Sequence, residues 1–167
     1  ALGFALLSRV TVDSPIAIVV IAGVIFSLGF TPVVALTTEL VVGSAPPERA
    51  GSAAAISETS LEFGGAVGIA VLGSIVTAVY RSQMALTQPG GLAPDAARSA
   101  AATLGGAVAE AARLPADLAA SLLAAARAAF VAGMQLSALV ATVGLIVTAV
   151  IAVVLLRRVP AAAAHPA

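Results

Sequence analysis

Three stretches of the chain lose the alternation of polar and apolar positions that marks a half-buried surface. Ile16–Thr38 and Ala128–Leu156 carry no charge, and Ser52–Val79 carries only Glu58 and Glu62. A helix needs about 20 apolar residues to cross about 30 Å of hydrocarbon, and each stretch is long enough. The pattern predicts an all-α fold of polytopic transmembrane helices, with spans at 15–42, 52–80 and 128–156. The apolar start at 1–9 is too short for a crossing and lacks the basic opening of a signal peptide. It reads as the end of a truncated transmembrane helix, which makes the chain a fragment: the end of one span plus three full ones.

The punctuation between the spans supports these limits. Asp13-Ser14-Pro15 opens the first span, with Asp13 or Ser14 expected to cap free N–H groups. Pro32 lies inside it and removes a backbone hydrogen bond, so Pro32 with Gly29 marks a possible hinge. Residues 43–51 form a short turn, in which Pro46-Pro47 stops one helix and Glu48-Arg49 marks the membrane surface. Tyr80-Arg81 ends the second span with an aromatic and a charge, as at a headgroup boundary. Residues 81–127 are rich in Ala, Gly and Pro. They read as a solvated, partly ordered external loop, with a weakly amphipathic surface helix over 99–113 and a helix start at Pro115-Ala116-Asp117. Arg157-Arg158 beside the last span places the C-terminal tail, 157–167, in the cytoplasm by the positive-inside rule. The turn at 43–51 is then cytoplasmic as well.

Composition narrows the class further. The chain is 60% hydrophobic and 10% charged, with a mean hydropathy of +1.12, whereas soluble domains carry about 25% charge. So little charge leaves a lipid bilayer as the natural partner. Net charge is zero and no basic run exists, so no nucleic acid is expected as a partner. Cysteine is absent and no His/Glu ligand spacing or nucleophile elbow occurs. No metal, cofactor or catalytic residue is expected, and the chain is not read as an enzyme. His165, in the tail, carries no role. All eight basic residues are Arg, which, with the excess of Ala, is read as the mark of a GC-rich bacterial genome.

Glu58 and Glu62 are the functional lead. A step of four residues sets them on one helix face, about 6 Å apart. A carboxylate deep in hydrocarbon costs at least about 2.5 kcal/mol on insertion scales, and such groups usually face a water-filled pathway or a proton relay. Two acids one turn apart titrate as a coupled unit, which suits proton-driven exchange. A plainer reading has Glu58 snorkelling to the interface near Arg49, and Glu39 reads as an interfacial charge pairing Arg49. Gly65 and Gly73 share the glutamate face and leave room beside it. Gly64 and Gly68 form a GxxxG step suited to close helix packing.

The run from Ala45 to Ile75, APPERAGSAAAISETSLEFGGAVGIAVLGSI, resembles the thirteenth-helix region of the fourteen-helix drug:proton antiporters of the major facilitator superfamily. The branch it is similar to exports quaternary ammonium and other lipophilic cations. The resemblance implies that the chain holds the end of helix eleven and helices twelve to fourteen of a multidrug efflux antiporter in a bacterial plasma (inner) membrane. It implies proton coupling and cationic-substrate recognition at Glu58 and Glu62, a structural role for Arg49, and the remaining helices of the same transporter as partners. Where relatives carry Asp, Glu62 is longer by a methylene. The alternative is a small oligomeric membrane scaffold or channel subunit, associating through Gly64 and Gly68 with Glu62 lining a pore.

Overall fold

The computed structural model describes residues 1–157; Arg158, Pro160 and His165 lie outside the described residues. Among the described residues six α-helices follow one another: α1 (Leu2–Leu7), α2 (Ile16–Gly43), α3 (Ala50–Thr87), α4 (Pro94–Ala102), α5 (Leu104–Ala111) and α6 (Ala116–Leu156), with a 3-10 turn at Pro47–Arg49 before α3. Three of them, α2, α3 and α6, are long and apolar enough to cross a membrane.

The short α1 packs on both α2 and α6. Phe4 meets Phe26 edge-on at 5.3 Å between ring centroids, and Phe26 stacks on Phe30. The α2 helix begins at Pro15 without a side-chain cap. This corrects the expected capping by Asp13 or Ser14: the Ser14 hydroxyl instead accepts the Thr11 backbone N–H at 2.9 Å. It continues through Pro32 to Gly43, and the Thr31 hydroxyl donates to the Ser27 carbonyl at 3.0 Å just before the proline. Such back-bonding satisfies a side-chain donor where no water is at hand.

The largest departure from the sequence pattern lies in residues 81–127. The α3 helix runs on to Thr87 and α6 starts at Ala116, so both pass well beyond Arg81 and Arg127. At 38 and 41 residues they measure about 57 and 62 Å at 1.5 Å per residue, about twice the hydrocarbon thickness. Between them α4 and α5 form a packed cap, not a solvated loop. The expected helix over 99–113 is broken at Thr103, whose extended backbone ends α4 and whose hydroxyl caps α5 by accepting from the Gly106 N–H at 3.0 Å. Gly91, at φ +90°, turns the chain toward α4 in a conformation open to glycine.

The cap holds the main buried cluster: Tyr80, Met84, Ala100, Ala107, Ala111, Leu122, Ala126 and Ala129. Met84 and Leu122 are fully enclosed, and the Tyr80 hydroxyl donates to the Ala100 carbonyl at 2.8 Å. Arg98 pairs with Asp95 one turn earlier in α4. Away from the cap the pattern inverts. Large aliphatic side chains along α2, the first half of α3 and the second half of α6 are exposed.

Candidate functional site

The glutamate pair sits on the first half of α3, where both side chains are exposed. Among the described residues the one ion pair is Arg98 with Asp95. The expected pairing of Arg49 with Glu58 or Glu39 is therefore not made, and Arg49 sits exposed in the turn.

Above the glutamates, α3 packs against α6 along an antiparallel seam. At Gly133 the two backbones approach so closely that a Cβ there would lie 2.8 Å from the Val76 carbonyl oxygen. One turn on, the Ser137 hydroxyl donates to the Leu72 carbonyl at 3.3 Å. Gln135, on the neighbouring face of α6, donates to the Val10 carbonyl at 2.7 Å and ties in the segment after α1. The seam fades at Gly68 and Ala141, both half-buried.

The predicted packing glycines are placed differently from expectation. Among the described residues, no atom of another element lies within 4 Å of where a Cβ would stand at Gly64 or Gly68, so no described helix closes on that GxxxG step. The same openness holds at Gly65 and Gly73, beside the carboxylates, and at Gly29 before Pro32. The close glycine approaches are made instead by Gly3 against Ala22, Gly106 against Ser99 and Gly133 against Val76. Only the register between helices distinguishes Gly133 from the other glycines, and that register is not written in α6 alone.

Two open grooves run along α3. One, of about 350 Å³, is lined by Ala55, Ile56, Thr59, Ser60 and Phe63. The other, of about 510 Å³, includes Gly73, Ser74, Thr77 and Arg81 in its lining. Neither is lined by Glu58 or Glu62; the grooves lie about a third of a turn around the helix from the acids. Thr59, Ser74 and Thr77 donate to the carbonyls of Ala55, Ala70 and Gly73 at 2.8, 2.6 and 2.9 Å. Their hydroxyl oxygens keep lone pairs for a visiting donor while the protons stay on the helix. These hydroxyls were missed in the sequence, where each reads as an ordinary polar break in an apolar run.

No group of His, Cys, Asp and Glu among the described residues is arranged to hold a metal ion. The site offers two carboxylates on an open helix face, with hydroxyl-bearing grooves beside them. Chemically it can exchange protons and attract cations.

Comparison with known proteins gives the class. The chain is 37% identical over 158 residues to the multidrug efflux pump LfrA of Mycolicibacterium smegmatis, a match covering 95% of this chain and 31% of that protein. It is 32% identical over 151 residues to the tetracenomycin C resistance and export protein of Streptomyces glaucescens, covering 87% of this chain and 28% of that protein. It is 33% identical over 111 residues to the methyl viologen resistance protein SmvA of Salmonella typhimurium, covering 65% and 22%. No protein-family model matches the chain, and neither does any solved structure. The relatives are multidrug efflux, export and resistance proteins, and the chain is similar to them over most of its own length. It spans less than a third of the length of the curated relatives it matches.

Proposed function

We propose that the chain is the C-terminal part of a proton-coupled multidrug exporter of a bacterial plasma membrane. Lipophilic or cationic compounds leave the cell in exchange for protons, with Glu58 and Glu62 as the coupling and substrate-attracting groups. The observation that carries this reading is that the acid pair supplies the only charges in the 52–79 stretch while making no ion pair among the described residues. The relatives' names, which speak of efflux, export and resistance, support a transporter over an enzyme. The remaining helices of the same exporter complete the pathway, since α2, α3 and α6 leave most of their spanning surface uncovered.

Depth follows from the ends of the apolar stretches. Arg81 on α3 and Arg127 on α6 fall at nearly one level of the seam and mark the outer surface. From there Glu62 lies about 28 Å inward and Glu58 about 34 Å. With a bilayer about 40–45 Å thick including headgroups, Glu62 falls inside the inner half of the hydrocarbon and Glu58 near its rim. The turn at 43–51 and the end of α6 face the cytoplasm, in keeping with Arg157-Arg158. Pro32 and Gly29 supply a bending point in α2 as the halves of the exporter rock.

The test is made in the full-length transporter reconstituted in vesicles. Glu62→Gln is expected to remove drug-driven proton release and reduce ethidium efflux, with Glu58→Gln weaker. Proton release that continues unchanged in Glu62→Gln removes the coupling role.

A further inference from the structure

One turn of α3 has its carbonyls shared between the helix and side chains. Ser74 donates to the Ala70 carbonyl at 2.6 Å and Thr77 to the Gly73 carbonyl at 2.9 Å. Ser137 reaches across from α6 and donates to the Leu72 carbonyl at 3.3 Å. Each of these oxygens also serves the helix, as the acceptor for the N–H of Ser74, Thr77 or Val76 four residues on. Three of four consecutive carbonyls are therefore shared. Among the described residues the other carbonyls of α3 that accept a side chain are Ala55 and Gln83, each alone in its turn.

A carbonyl has two lone pairs and can accept twice. The second donor still competes with the first, and back-bonding of this kind often bends a helix. Sharp bends arise where a side chain enters the backbone ladder. Gly73 lies in the same turn, and glycine in a helix interior is about 1 kcal/mol less favourable than alanine. No proline occurs in α3 to bend it elsewhere.

The outer side of this turn is fastened by contacts within the chain itself. Val76 lies against Gly133, the Tyr80 hydroxyl holds the Ala100 carbonyl, and Met84 is fully enclosed. The acids lie on the other side, Glu62 about 15 Å and Glu58 about 21 Å along the helix from Leu72.

We propose that α3 bends at residues 70–73, so that its acid-bearing segment tilts while the outer segment stays fixed on α6 and the cap. A tilt of about 10° moves Glu62 by about 3 Å and Glu58 by about 4 Å at those distances. A shift of that size makes or breaks a hydrogen bond to a carboxylate. The cap need not move. The bend follows from the shared carbonyls alone; its use in moving protons rests on the coupling role proposed above.

Residue-resolved amide exchange of the full-length transporter in lipid nanodiscs tests the bend. The amides of Ser74, Val76 and Thr77 are expected to exchange about fivefold faster than those of 66–69 and 78–80. Ser74→Ala with Thr77→Val removes two of the second donors and is expected to abolish that difference. Ser74→Thr with Thr77→Ser keeps both donors and is expected to retain it. Exchange that is even across 66–80, or that peaks at 64–68 instead, overturns the bend. So does a difference that survives in Ser74→Ala with Thr77→Val. If Glu62→Gln abolishes drug-driven proton release while exchange is even across 66–80, the coupling role stands and the bend alone falls. Fast exchange at 74–77 with proton release unchanged in Glu62→Gln upholds the bend and removes the coupling role.

Discussion

The two ends of α3 solve opposite problems with the same helix. At the cap end its side chains are sorted as in a water-soluble protein: Tyr80 and Met84 point inward at 2% and 0% exposure, and Arg81 points out. At the turn end Ile56, Leu61, Phe63 and Val67 are exposed, and so are the two carboxylates, Glu58 and Glu62. Water gives an apolar side chain about 25 cal/mol per Å² of buried area as a reason to turn inward, and lipid gives almost none. The cap is therefore held by burial. The spanning segments rest on contacts at a few close approaches and on the bilayer itself.

That contrast is broken most directly by making similar truncations on both sides. Leu122→Ala in the cap, where the side chain is fully enclosed, is expected to cost about 2–5 kcal/mol. Thermal unfolding in detergent and protease cutting within 88–115 read it. Ile146→Ala, exposed on the spanning part of α6, is expected to stay within about 0.5 kcal/mol. Equal losses at the two sites would mean that the spanning half is held by burial as well. The mirror experiment adds a charge. Ile146→Asp is expected to weaken membrane insertion by about 2.5–3.5 kcal/mol in a glycosylation-mapping assay. Ala109→Asp, on the exposed face of α5, should change little.

A smaller effect sharpens the picture of the seam between the two regimes. Gly133→Val forces a side chain against the Val76 carbonyl, and overpacking of this kind costs about 1–3 kcal/mol. Gly73→Ala, facing open space, is expected to be silent in the isolated chain. Thermal unfolding of the two variants side by side checks the difference. A neutral Gly133→Val would show that the close approach contributes nothing to holding α3 on α6.

How much of this could be read from the chain depends on what carried the information. The spans were legible because the absence of charge over 20 or more positions has few explanations. The cap was not, because its core is made of alanine. Ala107 and Ala111 are buried one turn apart on α5, and Ala100 on α4, but they sit among Ala101, Ala102, Ala109 and Ala112, which look identical in a hydropathy pattern. The continuation of α3 past Arg81 was hidden for a related reason. A charge at an apparent membrane boundary looks like an ending, although the helix runs on to Thr87. The acid pair was visible as a pair from the sequence alone. The close approach of Gly133 to Val76 was not, since it depends on the register between α3 and α6.

The smallest effect tests how the two regimes are joined. Tyr80 sits where α3 passes from one to the other, and its hydroxyl reaches across to the Ala100 carbonyl at the end of α4. Tyr80→Phe keeps the ring packed against Met84 and Leu122 but removes the donor. The carbonyl it served belongs to a buried residue in the last turn of a nine-residue helix, which ends at the extended Thr103. The loss is expected to be about 1 kcal/mol, too small to unfold the cap but large enough to loosen α4 locally. Amide hydrogen exchange should therefore rise for α4 while that of α6 stays as it was. If exchange rises equally along α6, the cap and the spanning seam unfold together, and the division of α3 into two regimes describes its surroundings and not its stability.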